Sequence, residues 1–226
     1  MDTKFKSIAA SGNFLVPASG NSEFKHTLCG SEAIEGATSP NSGRPLLLVA
    51  TLRVDDSRLN LPPLRVPYLH LLYSWTCSMR DGLIVYQQLP SGVRLLRYTP
   101  GVESADFPYV GYPSAFPATP LTPKPVTEDE QAVIARLNRR EGEPIELEDA
   151  FPELAVPRHQ VGGEPRMMQW PVSVPECLAC GSTMGLLASI GNDNGYPGGF
   201  SGNTYTQMIF WLCSKCLVIA AEHQTD

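Results

Sequence analysis

Runs of apolar residues, separated by turn residues, divide the chain into short predicted strands. In the first half the pattern predicts a β-meander over residues 66–77, 82–89 and 93–98, with turns at Asp81-Gly82 and Ser91-Gly92. In the second half it predicts strands over residues 184–190, 205–212 and 217–222. The chain therefore reads mainly as antiparallel β-structure.

Two blocks of the pattern occur twice in the same order. Residues 43–52 align with 181–190 at an offset of 138, and residues 72–78 align with 208–214 at an offset of 136. The second alignment matches Cys77 to Cys213. We therefore predict an α+β fold made of two related, mostly antiparallel β halves that arose by internal duplication.

One helix is predicted over residues 127–140. Thr127 and Glu130 have the spacing of a capping box, and arginines in the last turn complement the helix dipole. Before it, residues 99–125 contain seven prolines and read as an irregular connector, whose aromatic residues either pin it to the body or form a recognition loop. The predicted parts are an N-terminal β half (1–98), a Pro- and aromatic-rich connector (99–126) and a helix plus C-terminal β half (127–226), which could also form one compact domain.

Composition excludes several classes of protein. Of the 226 residues, 42% are hydrophobic and 18% are charged, which is typical of a folded domain. The start of the chain lacks the apolar core of a signal peptide, and no stretch is long enough for a membrane helix, so a cytoplasmic location is expected. A net charge of −6 argues against direct binding of nucleic acid.

Four of the six cysteines form two Cys-x-x-Cys pairs, Cys177 with Cys180 and Cys213 with Cys216. Four thiolates at this spacing can close a tetrahedral site around Zn²⁺, and a closed site holds structure rather than catalysing. The alternative is a set of redox-active or vestigial thiols. Cys29 and Cys77 are expected to be free thiols, and His223 is a weaker candidate ligand.

The whole net charge lies in one segment. Residues 128–153 contain nine acidic and three basic side chains. The acidic run is either a solvated linker or a surface that docks a basic partner, since Ile145, Leu147 and Phe151 alternate with the acids. The candidate partner-binding residues are Glu141, Glu143, Glu146, Glu148 and Asp149, followed by Asn192, Asp193 and Tyr196 of a Gly-rich loop. No catalytic motif is recognisable, so we expect no enzyme and no small-molecule substrate.

The C-terminal part combines three motifs: His159-Gln-Val-Gly-Gly-Glu-Pro-Arg-Met-Met-Gln169, then Cys177-Leu-Ala-Cys180-Gly, then Leu186-Leu-Ala-Ser. This combination resembles the YwqG-like family of bacterial proteins and the C-terminal part of the programmed cell death protein 2 family. It covers residues 157–222 well, residues 43–77 loosely and the connector hardly at all.

The resemblance implies a two-half α+β fold and a protein-binding role. Some YwqG-like proteins serve as immunity proteins against type VI secretion toxins, nucleases among them, and the eukaryotic relatives look like chaperones of a ribosomal protein. The expected function is that of a cytoplasmic immunity protein that occludes a cognate toxin, a nuclease. The alternative is an adaptor or chaperone that shields a basic client.

Overall fold

The computed structural model describes residues 5–19, 25–75, 84–101, 103–104, 106–141, 144–169 and 173–225. These residues form a mostly β structure built on one curled sheet of eleven antiparallel strands in the order β4-β3-β2-β7-β1-β8-β9-β10-β11-β5-β6. The strands are β1 Asn13–Pro17, β2 His26–Leu28, β3 Leu47–Arg53, β4 Tyr68–Tyr73, β5 Ile84–Leu89, β6 Gly92–Arg97, β7 Thr119–Pro125, β8 Gln160–Val161, β9 Gly185–Gly191, β10 Thr206–Cys213 and β11 Val218–Thr225. The prediction of a mainly antiparallel β fold is confirmed, and the strands predicted for the second half agree with β9, β10 and β11 to within a few residues.

The sheet is covered on both faces where its sequence is continuously apolar. Every residue of β10 is buried. Met208, Phe210 and Leu212 face the main core inside the curl, whereas Ile209 and Trp211 face a second apolar cluster. Burial on both faces explains why this strand shows no alternation of polar and apolar residues.

The prediction of a meander is wrong in its first pairing. β5 pairs with β6, as expected, but its other neighbour is β11 rather than β4. β4 instead meets β5 through side chains: the Tyr86 hydroxyl accepts from the Leu72 N–H at 2.9 Å and donates to the His70 carbonyl at 2.8 Å. Gln88 Oε1 accepts from the His70 N–H at 3.0 Å, so two side chains satisfy the free edge of β4. The predicted turn at Asp81-Gly82 lies outside the described residues.

The predicted irregular connector contains a central strand. β7 pairs with both β1 and β2, although its sequence includes Pro120, Pro123 and Pro125. A proline removes a ladder donor but keeps its acceptor, and the Ala18 N–H donates to the Pro120 carbonyl at 2.9 Å. Proline content alone therefore misclassified this segment.

The predicted helix is confirmed. α1 spans Glu128–Arg139 with Thr127 as its N-cap, and the reciprocal capping box with Glu130 is present. A second helix, α2 Pro144–Ala150, occupies part of the acidic run that we expected to be either a solvated linker or a surface that docks a basic partner. Both helices pack on the sheet through a small apolar cluster that includes Phe14, Ile134 and Leu147.

None of the helices in the described part of the chain has the length and hydrophobicity that a membrane span requires.

Candidate metal centre and neighbouring sites

The two cysteine pairs approach one another because each lies at the same end of adjacent strands. Cys177 and Cys180 occupy a tight turn that leads into β9, whereas Cys213 ends β10 and Cys216 lies in the turn to β11. Since β9 pairs with β10, the two turns meet at the same end of this strand pair. The four sulfur atoms all lie within 4.8 Å of one another.

This spacing suits a tetrahedral metal ion. A tetrahedron of sulfur ligands at a metal–sulfur distance of about 2.3 Å separates neighbouring sulfurs by about 3.8 Å. Cys180 Sγ and Cys213 Sγ are 3.7 Å apart. The four cysteines can therefore hold one metal ion.

Hydrogen bonds within the turn of Cys177 and Cys180 favour the thiolate form of Cys180. Bonds from the side chain and backbone of Ser182 lower the pKa of Cys180 to about 6. The sulfur of Cys177 receives backbone hydrogen bonds from Ala179 and Cys180, although burial raises its pKa overall. Thiolates are the form that binds metal, so these bonds prepare the sulfur of Cys180 for an ion.

The four cysteines offer four protein sulfurs and lie against apolar packing. Cys177 and Cys213 are buried in the second apolar cluster, next to Met184 and Trp211. His223, the weaker candidate ligand, lies elsewhere: its Nδ1 is 2.5 Å from the Tyr73 hydroxyl. A four-sulfur site leaves no open position for a substrate, which is typical of a structural metal.

The predicted acidic residues lie partly on exposed helical surface. Glu146 and Asp149 of α2 are exposed, and exposed Glu141 pairs with Arg139 at 2.9 Å. Glu143 lies outside the described residues, and Glu148 is placed in α2 by its backbone. Leu147, in contrast, is buried against the sheet, so it is unavailable for docking.

One of the three predicted binding residues in the Gly-rich loop makes its hydrogen bonds within the loop itself. Asn192 is buried, and its side chain bonds the Gly198 carbonyl and the Ser201 backbone and hydroxyl. Asp193 is exposed and caps the Gly195 N–H at 3.0 Å. Tyr196 is 38% exposed and packs edge-on against Phe116. The loop therefore presents Asp193 and Tyr196, whereas Asn192 shapes it.

Sequence reasoning missed a buried polar cluster around Asp56. Its carboxylate accepts from His26 Nε2 at 2.8 Å and from the Arg58 guanidinium at 2.6 Å. The second ring nitrogen of His26 accepts from the Arg53 N–H at 3.2 Å, so both nitrogens are engaged and the ring is not a free base. Burial raises the pKa of Asp56, but the bonds from Arg58 and His26 outweigh it and lower the pKa to about 2. The Asp-Ser-Arg order at 56–58 signals a capped turn, yet nothing local points to His26.

His159 lies at a half-open cavity of about 350 Å³ between β1 and the Gly-rich loop. The residue is half-buried, and its Nδ1 is a buried atom with no hydrogen-bond partner among the described residues. Burial lowers its pKa to about 4, so the ring is neutral near pH 7.

No protein-family model, no curated protein and no solved structure matches this chain. The resemblance to the YwqG-like family therefore stays a prediction.

Proposed function

We propose that this chain is a non-enzymatic immunity protein that captures a basic toxin, a nuclease, through its acidic surface. The observation that carries the proposal is the exposed face of α2, where Glu146 and Asp149 point to solvent while Leu147 anchors the helix to the sheet. No basic residue lies in the last turn of α2 to offset these charges.

Such a surface suits the capture of a nuclease. The active-site cleft of a nuclease must be basic to bind phosphate, and a fixed acidic helix would speed association and oppose that charge directly. The ordered backbone of α2 lowers the entropy that a flexible acidic segment would lose on binding. The resemblance of the C-terminal motifs to the YwqG-like family points to the same class of function.

The first test is capture of the partner. A tagged chain incubated with its native cell lysate at low salt is expected to retain one secreted-toxin fragment, identified by mass spectrometry. Recovery of ribosomal proteins instead would favour the chaperone alternative. Recovery of neither would contradict both protein-binding roles.

The second test locates the surface. Reversing three exposed acids (Glu141→Lys, Glu146→Lys, Asp149→Lys) is expected to slow association with the captured toxin by roughly tenfold or more at low salt, and to flatten its salt dependence. The matched control reverses three exposed acids elsewhere, Glu32, Glu35 and Glu176, and so makes the same change in net charge. Equal effects of the two variants would rule out a specific acidic surface.

We also propose that the four-cysteine centre holds structural Zn²⁺. Chain purified without added metal is expected to contain one zinc per molecule by elemental analysis. Cys180→Ser should lose that zinc, whereas Cys29→Ser, which changes a buried cysteine outside the centre, should retain it. Metal-free protein with four freely titrating thiols would contradict the proposal.

The fold itself supports the proposal of an internal duplication. β3 and β9 span residues that differ by 138, and each contains a bulge at the matching position, Val49 and Leu187. β4-β3-β2-β7 on one side of the sheet mirrors β10-β9-β8-β1 on the other. The strand pairing also relates β4 to β10. Leu72 lies opposite Leu48, and Trp211 lies opposite Leu186, the counterpart of Leu48, so equivalent residues of β4 and β10 differ by 139. The sequence alignment of residues 72–78 with 208–214 instead gave an offset of 136.

A further inference from the structure

The turn that leads into β3 has the backbone structure of the cysteine turn that leads into β9. At an offset of 138 residues the two turns share an isolated bridge, three backbone hydrogen bonds and a glycine with positive φ. In the first turn these are Thr38 with Pro45, Ser39 N–H to Arg44, Gly43 N–H to Ser39, Leu46 N–H to Ala37, and Gly43 at φ 71°. In the second they are Glu176 with Thr183, Cys177 N–H to Ser182, Gly181 N–H to Cys177, Met184 N–H to Pro175, and Gly181 at φ 70°.

Serines occupy the cysteine positions in the first turn. Ser39 and Cys177 are both 2% exposed, and Ser42 and Cys180 are both exposed. The backbone bonds to these side chains also match: the Asn41 and Arg44 N–H groups donate to the hydroxyls of Ser39 and Ser42. In the second turn the N–H groups of Ala179 and Ser182 donate to the sulfurs of Cys177 and Cys180.

A third serine extends the correspondence. Tyr73 lies opposite Leu47 as Leu212 lies opposite Gly185, so the next residues, Ser74 and Cys213, hold equivalent positions. Each is 5% exposed.

A carboxylate lies among these hydroxyls. Ser39 and Ser42 both donate short hydrogen bonds to Glu103, one to each carboxylate oxygen. The Tyr98 hydroxyl donates to the same carboxylate at 2.6 Å, and Ser74 is hydrogen-bonded to that hydroxyl. Glu103 thus joins the side chains of one turn in the way that a metal joins thiolates.

We infer that residues 37–46 form a metal-free counterpart of the cysteine turn, in which the carboxylate of Glu103 replaces the metal ion as the group that holds the turn together. Hydroxyls are weak ligands for a soft divalent cation but good donors to a carboxylate. Replacing sulfur by oxygen therefore exchanges a turn held by a bound metal for a turn held by charge-assisted hydrogen bonds.

The rate of hydrogen exchange at single amides tests the stability of the two turns separately. Glu103→Ala is expected to speed exchange at Ser39, Gly43 and Leu46 by roughly tenfold or more, because two serine donors lose their charged acceptor. Removal of metal from the wild type with a chelator should leave these three amides unchanged and speed exchange at Cys177, Gly181 and Met184. The control is Glu153→Ala, which removes an exposed acid elsewhere.

Unchanged exchange at Ser39, Gly43 and Leu46 in Glu103→Ala would overturn the inference, whatever the chelator does. Failure of the zinc proposal alone would appear differently, as amides of the second turn that ignore the chelator.

A gain of metal binding provides an independent test. The variant Ser39→Cys/Ser42→Cys/Ser74→Cys/Glu103→Ala restores three thiols and removes the carboxylate. Titrated with Co²⁺ as a spectroscopic probe, it is expected to bind one more equivalent per chain than the wild type, with the absorption of cobalt–thiolate coordination. A stoichiometry equal to that of the wild type would contradict the correspondence between the two turns.

Discussion

Asp55 and Asp56 are neighbours in the chain, yet their carboxylates lie in opposite surroundings. The side chain of Asp55 is 54% exposed and pairs with Arg53 at the surface. That of Asp56 is fully buried and joins His26 and Arg58. At the scale of the residue, burial therefore decides which of two identical groups stabilises the fold.

Asp56→Ala is expected to lower the free energy of unfolding by about 1.5–3 kcal/mol, because it leaves the buried Nε2–H of His26 without its charged acceptor. Asp55→Ala removes a neighbouring carboxylate of the same kind and serves as the control, with a much smaller expected change. Urea unfolding of both variants measures the difference. Equal losses would show that the buried cluster adds nothing beyond a surface pair.

At the scale of the element, some strand contacts follow from the local sequence pattern and others depend on long-range contacts. The β5–β6 hairpin follows from its Pro-Ser-Gly turn, and α1 follows from its capping box and amphipathic pattern. The side-chain contact that joins β4 to β5 has no local signature. It depends on Tyr86 reaching the edge of a strand that the curl of the sheet brings close.

Removing the Tyr86 hydroxyl is expected to weaken this contact. Tyr86→Phe leaves the Leu72 N–H and the His70 carbonyl without their partner, and we expect a loss of about 2 kcal/mol in the free energy of unfolding. Tyr68→Phe is the matched control, since within the described part of the chain its hydroxyl accepts a bond from half-exposed Arg53. Equal losses of thermal stability in the two variants would contradict a stabilising contact between β4 and β5 through Tyr86.

Across the whole molecule, burial makes all four histidines acid-sensitive. It lowers the pKa of His26, His70, His159 and His223. As the pH falls below about 6.5, the histidines therefore bind protons in the unfolded chain before they do so in the folded chain. This stabilisation is complete above that pH and is lost on acidification, whereas the raised pKa of buried Glu222 acts in the opposite direction.

His159 should dominate the acid side of this profile, because its pKa is lowered to about 4. Between pH 6.5 and 4 the free energy of unfolding should fall by up to about 1.4 kcal/mol per pH unit on its account. His159→Gln is expected to flatten the profile by that amount. Comparison of the two proteins cancels the contributions of the thiols and of Glu222, and an unchanged slope would show that His159 is not the group responsible.

The sequence by itself determined the features that depend on neighbours in the chain. It determined α1, the strands of the second half and the two cysteine pairs, because capping, periodicity and ligand spacing are local properties. Only the tertiary structure decided that β5 pairs with β11, that a proline-rich segment forms β7, and that His26 meets Asp56. It alone also brought Ser39, Ser42 and Ser74 around the Glu103–Tyr98 pair, because contacts between distant segments depend on how the sheet curls, which no short stretch of sequence records.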